Sequence, residues 1–120
     1  MGAVRRTVLI VDDHEGFRSA ARALLEAEGF HVVGEAVDGR EALTKVEHLQ
    51  PDVVLLDIQL PNLDGFEVAD RLATDARATA VVLISSHDAG TFGPRLTRAP
   101  ARGFLAKREL TGAALAELLD

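Results

Sequence analysis

The stretch Val53-Val54-Leu55-Leu56-Asp57 constrains this chain more than any other. A continuous run of β-branched and leucine residues, bounded by Pro51 upstream and Pro61 downstream, is the pattern of a strand buried on both faces in the middle of a parallel sheet. The run ends in an aspartate. Parallel α/β sheets present ligands at the carboxyl ends of their strands, so a lone carboxylate there is a candidate for chemistry. The plainer reading of Asp57 is a turn or helix-capping residue.

The arrangement recurs. Val8-Leu9-Ile10-Val11 is a second apolar run and ends in Asp12 and Asp13, Val81-Val82-Leu83-Ile84 ends in Ser85 and Ser86, and Gly103-Phe104-Leu105-Ala106 is followed by Lys107. Val32, Val33 and Ala36 mark a shorter strand. Helical patterns lie between these runs. In the first, Phe17, Ala20, Ala21, Leu24 and Leu25 recur at helical spacing, with Arg18, Arg22, Glu26 and Glu28 largely on the opposite face and Gly29 as the stop. In the second, Ala42, Leu43, Val46 and Leu49 share one face. Asp64-Gly65-Phe66-Glu67 has the spacing of an N-cap with an acid three residues on, opening a third helix to about residue 73. Alternation calls for a fourth helix after Ser86, but Gly90, Gly93, Pro94 and Pro100 interrupt it, so a short or mobile element centred on 95–98 is expected. Thr111 caps a final helix that buries Leu115, Leu118 and Leu119. This rhythm predicts right-handed crossovers and an α/β doubly wound, five-stranded parallel sheet with five helices.

With 120 residues and 48% hydrophobic content, residues 1–120 read as one domain that removes roughly two thirds of its extended surface from water. The lack of cysteine excludes disulfides and thiolate metal sites and agrees with a cytoplasmic location. A net charge of -6 argues against a nucleic-acid surface within these residues. The run after Arg5 and Arg6 is cut short by Asp12 and Asp13, too soon for a signal core or a membrane span.

Four of the strand ends therefore carry acid, acid, hydroxyl and ammonium: Asp12 and Asp13, Asp57, Ser85, and Lys107. Carboxylates about 5 Å apart repel pairwise by roughly 3 kcal/mol at an effective dielectric near 20. Neutralisation by Lys107 alone leaves excess negative charge, so the cluster calls for a cation. Hard oxygen ligands without His or Cys select Mg²⁺ over zinc, and Mg²⁺ keeps waters that a phosphate oxygen can replace. His14, His31 and His48 share no ligand spacing and read as surface or loop residues.

Taken in order, the stretch ending in Asp12-Asp13, the Leu55-Leu56-Asp57 run with Pro61 and Gly65 after it, Ile84-Ser85-Ser86, and Gly103-Phe104-Leu105-Ala106-Lys107 resemble the receiver domain of two-component response regulators. The resemblance covers essentially the whole chain. Asp12-Asp13-His14-Glu15 with Phe17-Arg18 is similar to the LuxR/NarL-type subfamily, whose receivers usually precede a helix-turn-helix DNA-binding domain. The resemblance implies a flavodoxin-like fold and a Mg²⁺-dependent phosphorylation switch, not an enzyme acting on a separate substrate. It implies Asp57 as phosphoacceptor, Asp13 and Asp57 as direct Mg²⁺ ligands, Asp12 acting through metal-bound water, and the main-chain carbonyl of Gln59 as a further ligand. Lys107 would pair with Asp57 and then with the phosphoryl group, Ser85 would donate its hydroxyl to a phosphoryl oxygen, and Phe104 would turn inward as Ser85 moves. The implied partners are a histidine kinase as phosphodonor and a second copy of the chain after phosphorylation, with no membrane. DNA binding would belong to an output domain of a longer protein and not to this chain.

Some positions depart from the family's pattern. Arg108 follows Lys107 where proline is common, which makes a trans bond the default. Ser85 stands where threonine is common, and Gln59 and His87 hold positions that tune dephosphorylation in the family. Three other readings fit less well. A hydrolase with an aspartate nucleophile commonly has a second acid two residues on, where this chain has Gln59. A pseudo-receiver would not need the full set of Asp12, Asp13, Asp57, Ser85 and Lys107. A nucleotide-binding domain would want a phosphate-cradling loop after the first strand, where this chain has acid.

Overall fold

The computed structural model describes residues 5–76 and 78–120. The elements are β1 (Thr7–Val11), α1 (Glu15–Ala27), β2 (His31–Ala36), α2 (Gly39–Leu49), β3 (Val53–Asp57), α3 (Gly65–Asp75), β4 (Ala80–Ser85), α4 (Pro94–Arg98), β5 (Gly103–Ala106) and α5 (Gly112–Leu119), with short 3₁₀ turns at Ala89–Thr91 and Lys107–Glu109. The five strands form one sheet in the order β2-β1-β3-β4-β5, every pair parallel. The expected flavodoxin-like, doubly wound architecture is what the chain adopts.

Successive side chains of a strand point to opposite faces, and the continuous apolar runs therefore fill two cores at once. Leu9, Val11, Val54, Leu56, Val81 and Leu83 pack with α2 and α3 through Ala42, Val46, Phe66 and Leu72. Val8, Ile10, Val53, Leu55, Val82 and Ile84 pack on the other face with Ala21 and Leu25 of α1 and Leu115 of α5. All five residues of β3 are buried, the signature of a strand flanked and covered on every side.

Local chemistry sets the ends. The carboxylates of Asp38 and Asp64 and the hydroxyl of Thr111 accept from the backbone N–H three residues on, capping α2, α3 and α5. Gly29 takes a φ of +99°, which lets the chain turn away from α1. The fourth helix is short, five residues with Pro94 in its first turn. Glu28 at the end of α1 accepts from the N–H of Gly112 at 2.8 Å and so tethers α5 to α1.

One side chain sits differently from the sequence reading. Leu49 is not a core residue of α2, being 42% exposed. It lies over Gly34 of the edge strand β2, so close that a Cβ there would come within 2.9 Å of its Cδ1, and none of the described residues covers its outer side. Val33 is an extra residue in the β1–β2 ladder, where the register steps from Val8↔Val32 to Leu9↔Gly34.

Gly65 is required by a close approach. A Cβ there would stand 2.5 Å from the Asp57 carbonyl oxygen and 2.6 Å from Ile58 Cα, both backbone atoms directly at the end of β3. Gly65→Ala is expected to cost about 1–3 kcal/mol, read as a lower urea midpoint with an unchanged slope. An unchanged midpoint would show that the start of α3 shifts freely.

Candidate functional site

The strand order places β1 beside β3, where the chain leaves toward opposite faces: from β1 to α1 on one, from β3 to α3 on the other. A crevice opens at such a switch point, on the carboxyl side of the strands. Asp12, Asp13 and Asp57 lie at its edge. One ligand atom from each of Asp12, Asp13, His14 and Asp57 falls within 4.8 Å of all the others. The separation expected from sequence is therefore met, with an additional residue present. His14 is an exposed loop residue, as read, but its Nδ1 is 2.9 Å from Asp12 Oδ1 and 3.1 Å from Asp13 Oδ1.

The acids are unequal. Asp12 and Asp57 are buried, whereas the Asp13 side chain is 36% exposed. Lys107 Nζ bridges the buried pair, 2.6 Å from Asp12 Oδ2 and 3.1 Å from Asp57 Oδ2, and lies 4.6 Å from the centroid of the Phe17 ring. Asp57 Oδ1 accepts from the N–H of Gln59 at 3.0 Å, and Asp12 Oδ1 accepts from the N–H of His14 at 2.8 Å. Asp12 Oδ2 has the ammonium close by but no well-aligned hydrogen bond.

Burial raises the Asp57 carboxyl to about 6; the Gln59 N–H opposes this and the negative charge of Asp12 reinforces it, with Lys107 offsetting part. Burial pushes Asp12 the same way, but the Lys107 ammonium and the His14 hydrogen bonds overcome it and hold the carboxyl below its ordinary value. For Lys107, burial works against the charged form, while both carboxylates outweigh it and raise its pKa. One ammonium thus serves two buried carboxylates and leaves Asp13 uncompensated. An incompletely satisfied buried oxygen, three carboxylates against one imidazole and surplus negative charge fit a hard divalent cation such as Mg²⁺.

Ser85 is fully buried at the end of β4, and its Oγ accepts from the N–H of His87 at 3.0 Å. The N–H of Ile58 donates to the carbonyl of Ile84 at 3.0 Å, which ties the β3 and β4 ends together. Phe104, half-buried on β5, sits 6.2 Å from Phe92, and Phe92 sits 6.0 Å from Phe66. Arg95 stacks over the Phe66 ring at 4.3 Å and pairs with Asp64 at 3.2 Å. Beyond Lys107 the chain makes a 3₁₀ turn, with no cis peptide among the described residues, and Arg108 pairs with Asp88 across the site's rim.

Several participants were not evident from sequence. Arg18 and Arg22, placed on the solvent side of α1, both bind the carboxylate of Glu35 on β2. Two like charges one turn apart repel, and that spacing was the available sign of a shared acid. Phe92 was hidden by the glycines and prolines around it, although a lone aromatic in such a segment needs something to cover it.

Fold and site together define a class: a doubly wound α/β domain with a carboxylate-lined crevice, able to hold a cation, at the carboxyl ends of its strands. The comparisons narrow this. The family described as the response regulator receiver domain matches residues 8–119. GacA of Pseudomonas viridiflava, named a response regulator, is 38% identical over 114 residues, covering 94% of this chain and 51% of that protein. The signal receiver domain of NarL from Mycobacterium tuberculosis superposes with a TM-score of 0.85 at 36% identity, covering 98% of both chains. A two-component response regulator of the LuxR family from Aurantimonas superposes with a TM-score of 0.85 at 29% identity, covering 97% of this chain and 86% of that one.

The chain belongs to the response regulator receiver domain family and is a receiver of two-component signal transduction. It spans about half the length of the curated relatives it matches. Receivers of this family bind Mg²⁺ in an acidic pocket and take part in signalling with histidine kinases. Among the described residues no helix is long and apolar enough to cross a membrane.

Proposed function

We propose that Asp57 is the phosphoacceptor of this receiver and takes a phosphoryl group from the phosphohistidine of a histidine kinase. The observation that carries the reading is the pairing of a buried Asp57 with Lys107 at 3.1 Å, next to Asp13, which no Lys or Arg among the described residues reaches. A carboxylate oxygen of Asp57 attacks phosphorus, the bond from phosphorus to the donor imidazole nitrogen breaks, and an acyl phosphate forms. Asp13, Asp57 and the main-chain carbonyl of Gln59 would hold Mg²⁺ directly, with Asp12 acting through bound water. The metal would supply positive charge against the phosphoryl oxygens as they approach an anionic nucleophile.

The chain's own residues do the rest. Lys107 screens Asp57 before transfer and the phosphoryl group after it. The N–H of Gln59 on Oδ1 fixes the plane of the Asp57 carboxylate. Ser85 exchanges its contact with the His87 N–H for a phosphoryl oxygen, and the space it leaves takes the ring of Phe104, which must part from Phe92. The residues read as a single domain, 1–120. The switched surface then serves a second copy of the chain, or an output domain of a longer protein where DNA binding would reside, in the cytoplasm.

The test is intact mass after incubation with Mg²⁺ and acetyl phosphate. One phosphoryl adduct that needs Mg²⁺ and is missing in Asp57→Ala supports the reading. If acetyl phosphate and then a phosphorylated histidine kinase both fail to modify the folded protein, the domain is a pseudo-receiver.

A further inference from the structure

Arg18 springs from the first turns of α1, yet its side chain is only 13% exposed. Nε donates to Glu35 Oε1 at 2.9 Å, and Nη1 donates to the main-chain carbonyl of Asp12 at 2.7 Å. Its backbone N–H donates to the carbonyl of His14 at 3.1 Å. One residue therefore grips both ends of Asp12-Asp13-His14, while the Asp12 carboxylate accepts the His14 N–H and closes the turn from within. Asp13 sits in the middle, and among the described residues the His14 ring is the one polar partner of its carboxylate. A half-exposed side chain on such a loop is presented in one place only when the backbone on either side is fixed.

The guanidinium is itself fixed. Glu35 accepts a second bond at Oε2 from Arg22 Nε at 2.8 Å, and the Lys45 ammonium donates to the Glu35 main-chain carbonyl. Arg22 reaches the sheet at the Val32 carbonyl, 3.3 Å away, and does not touch the acidic loop. A planar fork can serve Glu35 and Asp12 at the same time, which a lysine ammonium on a flexible stem does not reproduce.

We propose that Arg18, locked by Glu35, is a positioning residue of the acidic loop: it fixes the backbone that carries Asp13 and so presents that carboxylate to a divalent cation. The proposal rests on the reading of Asp12, Asp13 and Asp57 as the Mg²⁺ site. It makes the edge strand β2, through Glu35, part of what sets metal affinity.

The chain has no Trp or Tyr, so Mg²⁺ binding is followed by amide shifts of residues 57–59 in NMR titrations. Arg18→Met keeps an apolar stem and removes the fork, and is expected to raise the Mg²⁺ dissociation constant about tenfold or more. Arg18→Lys should weaken binding in the same direction and decides the matter if the methionine variant does not fold. Arg22→Met removes one support of Glu35 but leaves both Arg18 side-chain bonds in place, and should therefore weaken Mg²⁺ binding less than Arg18→Met does. Folded Arg18 variants that bind as the parent does would overturn the proposal. So would an Arg22→Met variant weakened as much as Arg18→Met, because α1 would then be loosening as a whole. Asp13→Asn separates the two levels. If the parent fails to bind Mg²⁺, or Asp13→Asn binds equally well, the reading of the site falls. If Asp13→Asn loses binding and the Arg18 variants keep it, only the role of Arg18 falls.

Discussion

Asp57→Asn is expected to give a protein that takes no phosphoryl group yet melts higher than the parent, by about 5 °C near neutral pH without Mg²⁺. The parent holds an ionised carboxylate in a buried place beside Asp12, and burial, reinforced by the Asp12 charge, pushes its pKa from an ordinary 3.8 up to about 6, so the site resists that charge. Each unit is worth about 1.4 kcal/mol, so ionised Asp57 costs the folded state on the order of 3 kcal/mol. Asparagine removes the charge but returns only part of that, because one carbonyl oxygen cannot serve both the Gln59 N–H and Lys107. The sign in pH follows from proton binding. Between about 4 and 6 the folded parent holds a proton that the unfolded chain has released, so its stability from this group is full at the acid end and is lost as pH rises through 6. Asp12, with a depressed pKa, contributes the opposite slope only below about 3.8. Thermal melts from about pH 4.5 to 7.5 should slope downward for the parent and run flat for the variant. Parallel curves would show that Asp57 is not the group resisting its charge.

Lys107→Met is expected to be the most damaging single change at the site. It leaves the buried carboxylates of Asp12 and Asp57 facing each other without their cation, and breaking a buried pair in this way costs about 3–5 kcal/mol. Protonation of Asp57 offers partial relief, so the loss should be smaller at about pH 5.5 than at about pH 8. Saturating Mg²⁺ should recover part of it by mass action on the folded state. Denaturation with chelator and with Mg²⁺ at both pH values checks all of this, and a Mg²⁺-independent loss would place the cation's effect elsewhere.

The buried strands were legible because a strand covered on both faces tolerates no polar interruption, which leaves Val8 to Val11, Val53 to Leu56 and Val81 to Ile84 unmistakable. The residues that end them are thereby placed at one edge, and Asp12, Asp13 and Asp57 do converge. The role of Arg18 was harder to read, because beyond its one-turn spacing from Arg22 nothing along an amphipathic helix tells a charge that meets water from one that meets Glu35. Leu49 failed for a related reason: helical spacing shows a side but not where the sheet stops. His14 joins the cluster through the turn of its own loop, a matter of local backbone torsions that spacing does not encode.

The two margins of the sheet are held very differently. At β2, Glu35 gathers Arg18 and Arg22 on its carboxylate and Lys45 on its carbonyl, whereas β5 is four residues long, mostly half-buried, and stands next to a five-residue helix. Asp57 lies between them on the best-covered strand of all. If Asp57 takes the phosphoryl group as proposed, the disturbance at this stiff centre would run toward the more compliant side, as in a lever clamped at β2 and free at β5.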